Sequence, residues 1–141
     1  MPQPAPAGAI RTLRKRPEFL FVRGGAKAAR QHVLIEARRR EATGPIGVGF
    51  TASARVGNAV KRNRAKRRLR EAARQLIPVH GLAGVDYVLV ARQSTPEADW
   101  AALLDDVQNA LIRLAAALSD RPSEPVRTGK RASKPSSTES D

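Results

Sequence analysis

Between Lys61 and Glu71 seven cations fall within eleven consecutive residues: Lys61, Arg62, Arg64, Lys66, Arg67, Arg68 and Arg70. Asn63 sits between two of the arginines, and Leu69 is the one large apolar side chain of the run. Guanidinium forks and ammonium groups at that density suit the gripping of a polyanion. Asn63 adds an amide that can donate to a phosphate and accept from a 2′-hydroxyl or a base edge. Residue types for covalent or metal chemistry are not arranged for work. The chain has no cysteine, which excludes disulfides, thiolate metal sites and cysteine nucleophiles. Its two histidines, His32 and His80, do not make a metal site or an acid–base pair without help that nothing nearby offers. Metal-assisted hydrolysis needs clustered carboxylates. The basic half offers only Glu18, Glu36, Glu41 and Glu71, scattered over different elements.

The cations must be carried by something rigid, and the pattern around them predicts a helix from Asn58 to Ile77, closed by Pro78, whose ring and missing N–H oppose continuation. Within it Ala65, Leu69, Ala72 and Leu76 recur at i, i+4, i+7 and i+11 and form one narrow apolar stripe. Eight basic residues, the seven above and Arg74, face a single acid, Glu71. Like charges three and four apart destabilise an isolated helix, so tertiary packing or a bound polyanion must offset the repulsion. A merely solvated face interleaves acids at i+4. This one does not, which favours nucleic-acid binding.

The whole chain has 141 residues and a formal charge of +13. The length suits one domain with a core of about 100 to 110 residues. Residues 1–77 hold 19 of the 26 basic and 4 of the 13 acidic side chains, so the first half builds the cationic face. A Pro/Ala-rich tail is expected over 1–10, the folded domain over 11–118, and a basic Ser/Pro-rich tail over 119–141, neither tail having structural periodicity. No signal-peptide pattern and no run of about 18 apolar residues occurs, so a soluble cytoplasmic protein without membrane association is expected.

Around the basic helix the pattern predicts a first helix from Arg16 to Ala28, strands over His32–Arg38, Ile46–Ser53 and Tyr87–Arg92, and a last helix from Pro96 to Leu118. Ser94 with Glu97 fits a capping box for that last helix, with Pro96 in its first turn. Its stripe is Trp100, Leu103, Leu104, Val107, Leu111, Leu114 and Leu118. In the second strand Ile46, Val48, Phe50 and Ala52 alternate with Gly47, Gly49, Thr51 and Ser53, so one face is apolar and the other small enough for close approach. The turn after it has Gly57 for unusual backbone angles and Asn58 as N-cap.

The stretch from Gly49 to Glu71, with Gly57-Asn58, Arg62-Asn63-Arg64, Lys66-Arg67 and Arg70-Glu71, resembles the signature of the bacterial ribonuclease P protein subunit. Arg14–Val22 is similar to that family's first helix and Asp86–Arg92 to its late strand, so the resemblance covers roughly 11–118. It implies an α/β fold, a two-layer α+β sandwich like domain 2 of ribosomal protein S5. The implied order is α-β-β(-β)-α-β-α, with a left-handed crossover carrying the basic helix, although crossovers are otherwise almost always right-handed. It also implies a protein that does not itself cut: a large catalytic RNA, using divalent metal such as magnesium, removes the 5′ leader of precursor tRNA. The protein, one per RNA, binds that RNA and the leader; no cofactor or metal ligand is assigned to its own residues. Carried over by position, the RNA-binding residues are Arg55, Asn58, Lys61, Arg62, Asn63, Arg64, Lys66, Arg67, Arg68 and Arg70. The leader cleft falls on Phe19, on Phe21 or Arg23 for a second position, and on His32 and Ile35, where the family often has aromatics. Phe19 suits equally a core aromatic and a stacking wall for single-stranded leader. Arg55 follows Ala54 where the family often has two lysines. Trp100 is expected in the core.

Two other classes share some of these features. A ribosomal or general RNA-chaperone protein shares the charge but not the ordered Gly-Asn turn, Arg-Asn-Arg helix and small-faced strand. A self-sufficient nuclease needs the carboxylate cluster the chain lacks.

Overall fold

The computed structural model describes residues 9–119. Five strands form one sheet: β1 (Ile10–Thr12), β2 (Ala26–Ala29), β3 (Val33–Arg39), β4 (Ile46–Thr51) and β5 (Val85–Ala91). Their order is β1-β4-β5-β3-β2, with β1/β4 and β4/β5 parallel and β5/β3 and β3/β2 antiparallel. Three helices, α1 (Arg16–Arg23), α2 (Ala59–His80) and α3 (Trp100–Ser119), complete the domain. Helix α2 is the crossover between the adjacent parallel strands β4 and β5.

Side-chain alternation divides the sheet into two faces. Val33, Ile35, Ala37, Ile46, Val48, Tyr87 and Leu89 are buried in the main core with the α2 residues Ala65, Leu69, Ala72, Ala73 and Ile77 and the α3 residues Leu103, Val107, Leu111 and Leu114. The alternate residue Val88 joins Leu13 and Val22 in a second, smaller cluster, with Phe19, Phe21 and Val90 packed against it. That cluster holds α1 against the opposite face. Trp100 packs half-buried on the main core.

Several boundaries differ from the sequence expectation. The first helix stops at Arg23. Gly24 and Gly25 follow, and a Cβ on Gly25 would collide with the Ala37 carbonyl, so only glycine lets the chain pass this close to β3. The stretch assigned to the helix end is instead β2, pairing Ala28 with Ile35. Three strands therefore stand between the first helix and the basic helix, the larger of the two numbers the expected order allows. Strand β1, with Ile10 paired to Ile46, was not expected and takes residue 10 out of the presumed tail. The remaining tail residues, 1–8 and 120–141, lie outside the described residues.

Helix α2 runs through Pro78 to His80. The carbonyl that Pro78 leaves without an amide donor is that of Arg74, and both residues are exposed, so water can take the place of the lost bond. The expected Ser94–Glu97 capping box does not form. Thr95–Glu97 is a separate 3-10 turn, and Asp99 caps α3 by accepting from the Ala102 amide at 3.2 Å. Ser94 is drawn instead to the β2–β3 turn, where its hydroxyl lies 2.7 Å from His32 Nδ1.

Candidate nucleic-acid interface

The basic helix begins as its sequence requires. Gly57 has φ 141°, a conformation that side chains disfavour, and the Asn58 side chain accepts from the Lys61 amide at 2.9 Å. Asn58 is therefore engaged as a cap. Arg62 folds back and donates to the Gly57 carbonyl at 2.9 Å, which fixes its guanidinium at the helix start. Lys61 and Arg64 flank Glu97 at 3.7 and 3.6 Å, half-exposed contacts of little energetic weight. Asn63, Lys66 and Arg67 make no side-chain hydrogen bond or ion pair among the described residues. Asn63, Arg67, Arg70 and Arg74 recur at i, i+4, i+7 and i+11 and are all exposed, forming one line along α2. Arg74 pairs with Glu71, whose carboxyl it holds below the usual range together with Gln75.

Arg68 is the exception among the cations. Its guanidinium turns inward and donates to three carbonyls, Thr95 at 2.8 Å, Pro96 at 2.9 Å and Ala98 at 2.6 Å, beside the Trp100 ring. It ties α2 to the turn before α3, a role that charge counting does not reveal.

On the opposite face a shallow groove of about 360 Å³ is lined by Phe19, Arg23, Leu34, Glu36, Thr51, Ala52, Ser53, Val88 and Val90. It continues past Leu34, Ser53 and Val90 into a second hollow of about 630 Å³ that includes Arg55, Arg92, Gln31, Gln93 and Ser94. Arg55 and Arg92 thus follow the C-terminal ends of the parallel strands β4 and β5, where ligands of open α/β sheets commonly bind. The small face of β4 makes the groove possible. Phe19 packs directly on Gly49, where an added Cβ would meet the ring at 2.8 Å. The same ring belongs to the second core cluster and lines the groove, so it serves both roles.

Of the five residues expected in the cleft, Phe19 and Arg23, one turn apart on α1, line the groove. Phe21 lies under Arg38, 4.4 Å from guanidinium to ring centre, outside the groove lining. His32 is occupied by Ser94, and its backbone amide donates to Asp106 at 2.9 Å. Ile35 is fully buried in the main core. This corrects the expectation, because strand alternation turns Leu34 and Glu36 to the groove and Ile35 away from it. Leu34, Ser53, Val88, Val90, Arg92 and Gln93 were missed. The period of two through Asp86–Arg92 is the signal that could have found the valines.

Among the described residues no three of His, Cys, Asp and Glu come together to hold a metal ion. Three carboxylates of the basic half's elements and β5 are already engaged. Glu18 accepts from the Arg14 and Lys15 amides at 2.8 and 2.9 Å. These bonds, helped by Arg11, hold its carboxyl down to about 2. Glu36 pairs with Lys27 at 3.3 Å, and the buried Asp86 pairs with Arg40 and Arg11. Among the described residues no helix is long and apolar enough to cross a membrane.

A small α/β domain with a largely uncompensated cationic helix on one face and a shallow aromatic-walled groove on the other is an RNA-binding protein. Residues 9–115 match the family model described as Ribonuclease P, and the chain belongs to that family. It is 52% identical over 107 residues to the ribonuclease P protein component of Caulobacter vibrioides, covering 75% of this chain and 72% of that protein. To the same component of Ruegeria pomeroyi it is 48% identical over 110 residues, covering 76% and 88%. Its fold is similar to the RNase P protein of Staphylococcus aureus (TM-score 0.63, 21% identity, 73% of this chain and 94% of that one). The RNase P protein of Thermotoga maritima is similar too (0.62, 24%, 73% and 96%).

Proposed function

We propose that this chain is the protein subunit of a cytoplasmic ribonuclease P, binding the catalytic RNA through α2 and the 5′ leader of precursor tRNA along the Phe19–Arg92 groove. The observation that carries the reading is the exposed line Asn63, Arg67, Arg70 and Arg74 together with Lys66, cationic apart from Asn63, on a helix whose one acid, Glu71, answers only Arg74. Such a helix gains by meeting phosphates in place of its own repulsion. In the groove Phe19 offers a stacking surface for an unpaired base, and Arg23, Arg55 and Arg92 offer forks for the phosphates on either side.

The chemistry itself is assigned to the RNA. Divalent metal such as magnesium supplies the activated water and charge stabilisation for phosphodiester hydrolysis. Among the described residues no carboxylates cluster for that task, and Glu18 and Asp86 are bound to amides or guanidinium groups. The protein's part is to hold the leader in register, one protein for one RNA, so that precursor is favoured over mature tRNA. Purified protein incubated with precursor tRNA and magnesium, with and without the cognate large RNA, tests this. Cleavage is expected only with the RNA, and at lower magnesium when the protein is added. Cleavage by the protein alone overturns the reading, and so does an RNA whose activity and precursor affinity ignore the protein.

A further inference from the structure

We propose that the trough between α2 and β1 receives an unstacked nucleobase from a single-stranded RNA segment whose phosphates lie along α2. The proposal rests on the RNA-binding reading of α2 and adds to it an apolar subsite on the face of the sheet opposite Phe19.

The trough arises because the sheet extends one strand beyond its helical cover. Helix α2 packs on β4 and β5, and the short strand β1 continues past it. Ile10 is left 42% exposed. Between them lies a trough of about 500 Å³, floored by Ile10, Val48, Phe50 and Ile77. That volume falls among small-ligand sites, roughly 300 to 1,000 Å³. Its rim is formed by Arg67, Arg70 and Arg74. The Arg70 guanidinium stands 5.5 Å from the centre of the half-buried Phe50 ring. An apolar floor under three guanidinium groups suits a flat ring that stacks by its faces, keeps its polar edge in water and is attached to an anion, which describes a nucleotide. An apolar protein segment would leave the arginines unanswered. Base stacking on aromatic and guanidinium planes is sequence-tolerant. The lining fits that tolerance, since Glu71 is already bound by Arg74 and Gln75 and Thr12 is the other polar side chain in it.

The test uses the full chain with labelled methyl groups, titrated with a short oligouridylate and, separately, with an abasic ribose–phosphate oligomer of equal length. The two carry the same charge and differ in the base. Oligouridylate is expected to shift the Ile10 and Val48 methyl resonances upfield by ring current, and the abasic oligomer to leave them in place. Ile10→Trp, which fills the trough, is expected to remove the Val48 shift and weaken oligouridylate binding by roughly fivefold or more, the lower worth of one stacked base, without weakening the abasic oligomer. Equal methyl shifts with both oligomers overturn the inference, because phosphate contact then accounts for them. Shifts confined to Val88 and Val90 on the other face also overturn it, while leaving the proposed function standing. Binding of oligouridylate to neither face removes the reading of α2 itself. If deleting residues 2–8, or diluting the free protein, moves the Ile10 methyl by itself, the occupant is the chain's own N-terminal segment or a second copy, and the nucleobase assignment fails.

Discussion

Phe19 rests on Gly49 so closely that a β-carbon on the glycine would fall 2.8 Å from two atoms of the ring. The small face of β4 is thus a seat for the aromatic, and the two residues together set the height of the groove wall. Replacing Phe19 by Ala should weaken precursor tRNA affinity by about 1 to 3 kcal/mol, the worth of one stacked base. Mature tRNA affinity and the saturated single-turnover cleavage rate should stay nearly unchanged, because a contact made equally in ground and transition states alters binding alone. Gly49→Ala, which pushes the ring, should reproduce the loss in milder form. Equal losses for precursor and mature tRNA, with circular dichroism confirming the fold, would reject the leader assignment.

Binding of the protein to its RNA should fall steeply with salt. Each neutralised phosphate releases counterions, and roughly five to eight engaged cations give a log–log slope of several units. A titration slope between zero and one would remove α2 as the principal grip.

Arg62 and Arg64 stand on a helix held by its cap and core, and Arg62 is already oriented by the Gly57 carbonyl. Little ordering entropy is left to lose on binding. Arg62→Ala with Arg64→Ala should therefore cost more affinity for the RNA than deletion of residues 121–141. The reverse ranking in a filter-binding comparison would move the site off the helix.

Arg68 should behave differently from its neighbours. Truncation to Ala strands three carbonyls that now share its guanidinium, so the expected effect is a loss of stability of about 1 to 3 kcal/mol. Denaturant unfolding checks this. An unchanged midpoint with weakened RNA binding would return Arg68 to the contact surface.

Glu18 makes the first helix sensitive to acid. Its carboxyl is lowered from 4.5 to about 2 by the Lys15 and Arg14 amides. The stabilisation is therefore fully present above pH 4.5 and disappears as the pH falls towards about 2. Wild type and Glu18→Gln should differ in stability at neutral pH and converge in acid. A difference that ignores pH would show that the amide bonds do not need the charge.

Much of this was legible because local rules and tertiary packing agree. The stripe Ala65, Leu69, Ala72 faces the core, Asn58 caps α2, and alternation in β4 separates Val48 from Gly49. Failures came where a distant partner decided the outcome. Ala26–Ala29 looks helical until β3 offers its edge, and Ser94 looks like a cap until His32 takes it. Pro78 looks like a terminator, but the carbonyl it orphans faces water. In the cleft, positional carry-over chose Ile35, whereas the pairing of β3 with β5 turns its neighbour Leu34 outward. Arg68 reads like any other cation because its carbonyl partners lie about thirty residues away.

Both rims of the sheet are abbreviated: β1 has three residues and β2 four, and β2 carries the exposed Lys27. A second copy arriving at either rim would find only three or four ladder positions, and at one of them a cation, against a chain of the same high charge. Long, flat, apolar rims template stacking, whereas short, charged ones resist it. The valine-rich strands needed to build the two faces are thereby kept from propagating between molecules, and the chain is protected against aggregation while its polyanion is still absent.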